Sequence, residues 1–279
     1  MATVMDGNAI AAKVRDEVKA EIKKNSLNPG LAVIIVGDDQ ASRVYVNSKK
    51  KDCEACGIRS EEFALPANAG QKALLDVVHT LNSRKDIHGI LVQLPLPKGY
   101  DYKEQEVIQA ISPDKDVDAF HFTNVGRIMN GDFSFLPCTP AGVMELLDHY
   151  GIDPQGKHCV VVGRSDIVGK PQAMLLLHRH ATVTICHSRT QDLGAITRQA
   201  DILVAAVGKV GLITANMVKP GAVVIDVAMN RNEEGKLCGD VDYTNIEPIA
   251  SYITPVPGGV GPMTRAVLIK NTLIAAKKA

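Results

Sequence analysis

Ser42, Tyr45 and Lys49 have the spacing of one helix face that could transfer protons. Their positions i, i+3 and i+7 place the three side chains on the same side of a helix. A lysine amine can exchange a proton with a bound molecule, and a tyrosine beside it can orient the amine or cover a flat ring. The pattern is also typical of a solvated helix surface, and the run Lys49-Lys50-Lys51 favours that alternative for at least two of the three lysines.

A glutamine and two aspartates could complete such a site. Gln93 interrupts an apolar run near the carboxyl end of a predicted strand, where parallel sheets present ligand-binding groups. A buried glutamine needs hydrogen-bond partners, and a lysine ammonium is a good one. Asp116 and Asp118 follow in a predicted loop, where a carboxylate can accept two N–H bonds from a planar, amidine-like edge. For Asp114 and Asp116 the alternative is a helix cap or a turn.

A glycine-bearing turn between a predicted strand and a predicted helix is suited to a nucleotide. It begins with Gly163, Arg164 and Ser165 and reaches Gly169, where the helix starts. A helix N-terminus presents unpaired N–H groups and about half a positive charge, which suit a pyrophosphate. Gly163 permits the tight turn, and Gly169 permits close packing of helix on strand. Because Ser165 replaces the middle glycine of G-x-G-x-x-G, an ordinary βα turn is the alternative.

The end of the next predicted strand indicates which dinucleotide would bind. An NAD site usually has an acidic residue there, which holds the ribose 2′-hydroxyl. This chain instead has Ser188, Arg189 and Thr190, and Arg164 lies in the preceding turn. Cationic and hydroxyl donors suit a 2′-phosphate better than a hydroxyl, so the pattern favours NADP. The alternative is that Arg189 is a solvated surface charge.

Residues 254–264 are a dense proline and glycine segment between a predicted strand and a predicted helix. Glycine permits unusual φ angles and a close backbone approach, and proline removes backbone freedom. We expect a rigid loop that closes a pocket between two domains, with a structural turn as the alternative.

Apolar runs alternate with amphipathic patterns along the chain, and these elements must position the side chains above. The predicted strands are residues 31–37, 63–66, 88–97, 158–163, 182–186, 202–208, 222–227 and 252–254. The predicted helices are residues 7–24, 41–56, 70–83, 103–111, 169–179, 190–199 and 264–278. Buried strands that alternate with helices predict an α/β fold with parallel sheets.

The stretch 112–137 interrupts this alternation, and we interpret it as a functional loop and a domain junction. After it, Thr139 and Pro140 predict the start of a helix, with threonine as the N-cap and proline at the first helical position. Asp6 is the predicted N-cap of the first helix.

Composition and charge exclude several classes of protein. The 279 residues include 31 Lys+Arg and 31 Asp+Glu, and aromatic residues make up 4% with no Trp. A nucleic-acid binder usually has a basic excess and aromatic side chains for stacking. No apolar run reaches the roughly 20 residues that span a bilayer, and the N-terminus becomes charged too early for a secretory signal. We therefore expect a soluble, cytoplasmic protein that binds neither nucleic acid nor membrane.

The six cysteines agree with a reducing compartment. Cys53 and Cys56 form one C-x-x-C motif, but no second pair of ligands lies at zinc spacing. Cys159 and Cys186 lie in apolar runs. Buried, reduced thiols are the preferred interpretation, a metal or disulfide role is the minor one, and no metal site is predicted.

Seven segments together resemble one enzyme family. In chain order they are AS-x-x-YV-x-x-K (41–49), GILVQLPLP (89–97), PDKDVDAFH (113–121), PCTPAG (137–142), VVGRSDIVGKP (161–171), VIDVAMNR (224–231) and ITPVPGGVGPMT (253–264). Each segment alone is not specific, but jointly they are, and they cover nearly the whole chain. The sequence resembles the bifunctional 5,10-methylenetetrahydrofolate dehydrogenase/5,10-methenyltetrahydrofolate cyclohydrolase family.

The resemblance implies two α/β domains that flank a cleft. A discontinuous folate-binding catalytic domain would comprise residues 1–138 and 265–279, and residues 139–264 would form a Rossmann-like, parallel-sheet NADP-binding domain. The protein would oxidise 5,10-methylenetetrahydrofolate with NADP⁺ and then hydrolyse the methenyl product to 10-formyltetrahydrofolate. The resemblance also implies a homodimer that acts on tetrahydrofolate derivatives in one-carbon metabolism.

The resemblance further implies a role for individual residues. Lys49 would be the key cyclohydrolase residue, held by Gln93 and assisted by Tyr45. The ordinary lysine pKa of about 10.4 is too high for a base at neutral pH, so we expect burial or nearby positive charge to lower it. The other substrate-binding residues would be Ser42, Val92, Leu94, Asp118, Pro257, Gly258 and Gly261. The NADP-binding residues would be Gly163, Arg164, Ser165, Ser188, Arg189, Thr190 and Met229.

The chain departs from the family pattern at three places. Ala119 stands where glycine is common, Ala228 and Met229 replace the usual Gly-Ile, and Arg265 stands where an apolar residue is common. None of these removes a residue that would carry the chemistry. Two alternatives remain: a non-catalytic NADPH-binding regulator, which would not need the lysine site, and a shikimate-type dehydrogenase, which has the same domain order.

Overall fold

The computed structural model describes residues 1–279 except the side chain of Ala41, with which the 41–49 segment begins. The chain divides into two compact units. Residues 1–12 and 137–264 form what we call the six-strand unit, and residues 13–136 and 265–279 form the three-strand unit.

Helices and strands alternate as the sequence predicts. The strands are β1 (Thr3–Val4), β2 (Gly30–Val36), β3 (Arg59–Leu65), β4 (Gly89–Val92), β5 (His158–Val162), β6 (Thr182–Cys186), β7 (Ile202–Ala205), β8 (Val223–Asp226), β9 (Asn230–Arg231), β10 (Leu237–Cys238) and β11 (Tyr252–Ile253). The helices are α1 (Gly7–Lys24), α2 (Gln40–Cys56), α3 (Gly70–Ser83), α4 (Glu104–Ala110), α5 (Phe122–Met129), α6 (Cys138–His149), α7 (Gly169–His178), α8 (Leu193–Thr197), α9 (Tyr243–Ile246) and α10 (Val260–Lys278), with a 3₁₀ turn at Ala215–Met217.

The three-strand unit has a parallel sheet in the order β3-β2-β4. The central strand β2 is apolar and buried at every residue, as expected for a parallel strand with both faces covered. Leu74, Val78 and Leu81 form the buried stripe of α3 and pack in the same core as β2 and β4. Because β2 and β4 are parallel neighbours, the residues after β4 emerge at the carboxyl edge of the sheet, where Gln93 N–H donates to Ile34 O at 2.8 Å.

The six-strand unit has a parallel sheet in the order β1-β11-β8-β7-β5-β6. Strands β7 and β8 are buried at every residue, and alternate residues of β5, β7 and β8 pack in one core. The turn at Gly163 and the loops after β6 and β7 therefore leave the sheet at one edge, its carboxyl edge. This edge is where open α/β sheets bind ligands.

The first twelve residues belong to the six-strand unit, whereas the domain division implied by the resemblance assigns them to the other domain. The reason is that β1 pairs in parallel with β11. In addition, Asp6 N–H donates to Tyr150 Oη at 2.9 Å, and Gly7 N–H donates to Gly258 O at 2.9 Å. A strand of two residues has no recognisable sequence pattern.

Residues 112–137 contain a helix, α5, which the interpretation of this stretch as a loop missed. The apolar residues Phe122, Val125 and Met129 recur at helical spacing, although all three are exposed in the structure and Asn124 is buried. The helix has eight residues, fewer than the roughly 11–18 over which helical periodicity is usually recognised.

The predicted starts of α6 and α10 are wrong, whereas the predicted N-cap of α1 is confirmed. Helix α6 begins at Cys138 with Pro137 at the cap, so Thr139 is inside the helix and its hydroxyl lies 3.0 Å from that of Thr264. Helix α10 begins at Val260, four residues before the predicted start, and so includes the end of the proline and glycine segment. Asp6 caps α1 as predicted, because its Oδ1 accepts hydrogen bonds from the N–H groups of Asn8 and Ala9.

All six cysteines are free, and five of them are buried. Burial raises the pKa of the Cys53 thiol to about 12 and also raises the pKa of Cys56, which disfavours the thiolate form of the C-x-x-C pair. Across the part of the chain that the structure describes, no three His, Cys, Asp or Glu side chains are grouped to hold a metal ion. No helix there is both long and apolar enough to cross a membrane.

Candidate functional site

Lys49 contacts Gln93, which is half-buried, as the resemblance implies. Helix α2 carries Lys49 and is capped by Asp39, whose Oδ2 accepts from Ser42 N–H at 2.8 Å. Gln93 directly follows β4, and its Nε2 donates to Leu94 O at 2.7 Å. This hydrogen bond turns Oε1 of Gln93 toward Lys49, whose Nζ donates to it at 3.0 Å. The lysine amine is thus held by a neutral acceptor.

Tyr45 lies one helical turn before Lys49 on α2, with 36% of its surface exposed. Burial raises the pKa of the Tyr45 phenol, and the positive charge of Arg265 acts in the opposite direction. Ser42, on the turn before, is buried. The predicted face therefore forms, with a buried serine at one end and an accessible phenol in its middle.

Asp118 lies in a loop that its neighbours anchor tightly. Lys115 Nζ donates to three carbonyl oxygens, those of Leu81 (3.2 Å), Asn82 (2.9 Å) and Arg84 (2.6 Å). Asp116 is buried, and its Oδ2 accepts from His121 N–H at 2.8 Å and Asn124 Nδ2 at 2.9 Å. Burial raises the pKa of Asp116. These contacts favour the structural alternative for Asp116.

On the other side of Asp116, the same loop is anchored to α10. Asn271 Nδ2 donates to Val117 O and to Leu136 O, each at 2.8 Å. Ala119 has a φ of 58°, in the left-handed region that favours glycine, which explains why glycine suits this position. The Asp118 carboxylate accepts no hydrogen bond from the described residues, and it lines a small cavity with the following side chains of its own unit: Ile90, Leu91, Val92, Leu94, Ile108, Ile111, Asp116 and Phe120.

The predicted nucleotide turn has the geometry of a backbone cradle. Gly163 has a φ of 136°, and a Cβ atom there would lie 2.3 Å from Ala206 O. A Cβ atom at Gly169 would lie 2.3 Å from Gly163 O. Only glycine fits at either position, so helix α7 begins directly against the turn and its N-terminus opens at the carboxyl edge of the sheet. This arrangement fits a pyrophosphate.

Ser165 and Arg164 have different surroundings within the turn. Ser165 Oγ accepts from Val168 N–H at 3.2 Å and Gly169 N–H at 3.3 Å, so it caps the start of α7. Arg164 is exposed. The serine therefore shapes the cradle, and the arginine extends from it.

The loop after β6 presents two exposed side chains, Ser188 and Arg189. His187 N–H donates to Thr190 Oγ1 at 2.8 Å, and Arg189 N–H donates to His187 Nδ1 at 3.1 Å. Thr190 and His187 thus fix the backbone of the loop and leave the other two side chains outward. No acidic residue occurs between Cys186 and Thr190.

The proline and glycine segment is tied to α1 and to the loop after β8. Pro257 is exposed, and Gly258 has a φ of 110°. Gly261 lies in the first turn of α10, where a Cβ atom would be 3.2 Å from Cε of Met229. Met229 is 42% exposed. The segment is therefore a short loop followed by a helix start, within the six-strand unit.

Two buried carboxylates at the carboxyl edge were missed by the sequence analysis. Asp240 accepts from the N–H groups of Val207 (2.6 Å), Gly208 (3.1 Å) and Lys209 (2.6 Å) and from Asn230 Nδ2 (3.0 Å). Asp226 accepts from the N–H groups of Asp240 (3.0 Å) and Val241 (2.8 Å). Their hydrogen bonds hold the loops after β7 and β8. The sequence signal that could have found Asp226 is an aspartate at the end of the otherwise apolar strand β8.

Asp226 makes stability depend on pH. Burial raises its pKa to about 6, and the charge of Asp240 acts in the same direction. Because this value lies above the ordinary 3.8, the folded state binds the proton more tightly; the stabilisation is present below about pH 4 and lost as the pH rises through about 6. From pH 4.5 to 7, we expect the thermal midpoint to fall by roughly 5 °C more for the unmodified protein than for Asp226→Asn. Scanning calorimetry measures both curves, and parallel curves would contradict this assignment.

Comparison with known proteins identifies the family. Residues 5–118 match the model of the tetrahydrofolate dehydrogenase/cyclohydrolase catalytic domain, and residues 137–279 match that of its NAD(P)-binding domain. The bifunctional protein FolD of Acetivibrio thermocellus is 60% identical over 279 residues, which cover 99% of this chain and 97% of that protein.

Solved structures agree with this match. The bifunctional FolD methylenetetrahydrofolate dehydrogenase/cyclohydrolase of Campylobacter jejuni is 49% identical, with a TM-score of 0.96 over 100% of this chain and 99% of that one. The Trypanosoma brucei FolD, complexed with NADP cofactor and inhibitor, is 41% identical, with a TM-score of 0.93 over 99% and 98%. A shikimate dehydrogenase of Peptoclostridium difficile, at 12% identity and a TM-score of 0.50 over 88% and 91%, shares the fold alone. The chain belongs to the tetrahydrofolate dehydrogenase/cyclohydrolase family.

Proposed function

We propose that this protein oxidises 5,10-methylenetetrahydrofolate to 5,10-methenyltetrahydrofolate with NADP⁺ and hydrolyses that product to 10-formyltetrahydrofolate. The observation that carries the proposal is the 3.0 Å contact between Lys49 Nζ and Gln93 Oε1 at the carboxyl edge of the three-strand unit. A nucleotide-binding regulator would not need this contact. The family membership and the glycine cradle of the six-strand unit support the same conclusion.

Lys49 transfers the protons of the hydrolytic reaction. Its neutral amine takes a proton from water as the water oxygen bonds to the methenyl carbon. The resulting ammonium returns that proton to the ring nitrogen as the ring C–N bond opens, and the hydroxyl proton of the same carbon leaves to solvent as the formyl C=O forms. Gln93 orients the amine without a negative charge that would favour the ammonium form. Tyr45, on the same helix face, covers the substrate and orients the lysine.

The substrate ring binds beside β4. Asp118 accepts N–H bonds from the pterin edge, because its carboxylate is held in an anchored loop and accepts no bond from the described protein donors. Val92 and Leu94 line the same cavity and contribute apolar contact. The remaining substrate contacts are Ser42, Pro257, Gly258 and Gly261.

The six-strand unit holds NADP. The cradle of Gly163, Arg164 and Ser165 binds the pyrophosphate, and Ser188, Arg189 and Thr190 bind the 2′-phosphate. Met229 contacts the nicotinamide side. When bound, NADP⁺ would supply the acceptor for the hydride of the methylene carbon, and these residues would position the cofactor and set the electrostatics around it.

Arg189 distinguishes NADP from NAD in this proposal. We expect Arg189→Gln to raise KM for NADP⁺ by about tenfold and to leave KM for NAD⁺ unchanged, because only the 2′-phosphate loses a charge-assisted hydrogen bond. Initial rates with both cofactors measure the two constants. Arg179→Gln, which removes an arginine paired with Asp148 on the same unit, is the control. Equal changes with both cofactors would contradict the role.

One assay tests the overall function. The protein is mixed with 5,10-methylenetetrahydrofolate and NADP⁺, with NAD⁺ in parallel, and reduced nicotinamide and the methenyl chromophore are followed together. Reduced cofactor without lasting methenyl accumulation is the expected result. Methenyl accumulation would indicate a dehydrogenase with little cyclohydrolase activity. No reduction by folded protein would favour the regulator.

The proposal has three further parts. A homodimeric assembly rests on the resemblance, and a cytoplasmic location and the absence of nucleic-acid binding rest on the composition of the chain. The net charge of zero supports the last of them. Sedimentation of the purified protein measures its oligomeric state.

A further inference from the structure

Arg265 lies against the helix face that carries Tyr45 and Lys49. Its Nη1 is 3.1 Å from Oδ2 of Asp52, on α2. Asp52 follows Lys49 by three residues and Tyr45 by seven, so the three side chains share one face of α2. At 1.5 Å per residue, Asp52 is about 4.5 Å farther along the helix axis than Lys49. Arg265 is therefore paired with a carboxylate that lies about one helical turn from the lysine on α2.

Two arginines share the one carboxylate. Arg15 Nη1, from α1, is 3.6 Å from Oδ1 of Asp52. The side chains of Arg15, Asp52 and Arg265 are 23%, 14% and 26% exposed, so water shields their charges only in part. Asp52 Oδ2 is close enough to Arg265 to form an ion pair, but the geometry of this contact is not that of a hydrogen bond. Two guanidinium groups and one carboxylate leave one net positive charge beside this face.

The charge reaches the phenol of Tyr45, because Arg265 lowers the pKa of Tyr45 against the effect of burial. Arg15 from α1 and Asp52 from α2 are charged groups beside this face, and Asp118 lies in the loop that lines the end of β4. Gln93, which accepts a hydrogen bond from the lysine amine, is neutral. Arg265 is thus a cation that the fold brings from α10 to a proton-transfer site on α2.

We propose that Arg265 is a positioning residue of the hydrolytic reaction, whose charge, oriented by Asp52, keeps the amine of Lys49 neutral and ready to accept a proton from water. A cation beside an amine disfavours its ammonium form. This inference rests on the proposed function, and it adds to that function a residue from the last helix and a reason for its charge.

The first test is Arg265→Met, which keeps the length of the side chain and removes its charge. We expect the acid limb of the cyclohydrolase pH–rate profile to move up by about one unit, which lowers the rate at neutral pH by up to about tenfold. Arg265→Lys, which keeps the charge, should stay within about twofold of the unmodified protein. The substrate is 5,10-methenyltetrahydrofolate without NADP, so that only hydrolysis is measured.

The second test is Asp52→Asn, which should move the acid limb in the opposite direction, to lower pH. Removal of the carboxylate leaves both arginine charges uncompensated beside the lysine. A role limited to packing would not give shifts of opposite sign. If Arg265→Met fails to fold, the pH–rate profile of Asp52→Asn by itself tests whether charge beside Lys49 controls the hydrolytic reaction.

The control is Arg43→Met, which removes another arginine ion pair on α2, that with Glu62, and should leave the profile unchanged. Absence of hydrolysis in the unmodified protein would refute the proposed function itself. If the unmodified protein hydrolyses the substrate and Arg265→Met has the same acid limb, the inference is wrong and the proposed function stands. If Arg265→Met does not fold, an unchanged acid limb in Asp52→Asn has the same meaning.

Discussion

Replacing Lys49 with Met should abolish the cyclohydrolase reaction and leave the dehydrogenase measurable. Methionine fills similar space without an amine, and general acid–base catalysis contributes roughly 10²–10⁴-fold to a rate. The oxidation needs no proton transfer by the protein, since a hydride leaves the substrate carbon for the cofactor. The expected result is therefore methenyl accumulation with continued formation of NADPH, which one spectrophotometric trace records.

The matched control for this variant is Lys50→Met, which removes the exposed neighbouring amine. It should leave both activities unchanged. A second variant, Gln93→Leu, tests the contact at 3.0 Å and should lower hydrolysis selectively, because the lysine loses its orienting acceptor. Equal loss of oxidation and hydrolysis in folded Lys49→Met would refute this division of roles.

Replacing Gly163 with Ala should have the opposite effect, loss of oxidation with hydrolysis retained. The added Cβ atom would lie 2.3 Å from Ala206 O, and the φ of 136° is one that L side chains rarely adopt. The turn must move, and with it the backbone N–H groups that face the pyrophosphate. We expect kcat/KM for NADP⁺ to fall by about 10²-fold or more, from initial rates at varied NADP⁺.

The control for Gly163→Ala is Gly156→Ala in the same unit. Gly156 also has a positive φ, of 71°, but a Cβ atom there would have no other atom within 4 Å. We expect Gly156→Ala to lower the free energy of unfolding and to leave KM for NADP⁺ unchanged. Hydrolysis of methenyltetrahydrofolate without NADP reports on the folding of the three-strand unit in each variant. If Gly163→Ala binds NADP⁺ normally, the cradle is not the nucleotide site.

Much of the fold could be predicted because its signals are local. Helices α1 and α3 have the predicted bounds, and β6 does too, since caps, periodicity and apolar runs depend on neighbours in sequence. The contact of Lys49 with Gln93 is one that the family resemblance implies; the residues alone indicate only that a polar residue at the end of a strand needs a partner. The glycines at 163 and 169 are explained by steric contacts close in sequence or on the adjacent strand.

What the sequence alone determined about this protein is therefore its α/β class, its family, and the residue types of its two sites. Only the tertiary structure decided which distant groups support those residues. Lys115 is held by carbonyl groups at the end of α3, Asp118 lies in a loop anchored by Asn271, and Arg265 reaches Asp52 across more than two hundred residues. The physical reason is that burial, ion pairing and hydrogen bonding act through space, and no local pattern records which partners the fold brings together.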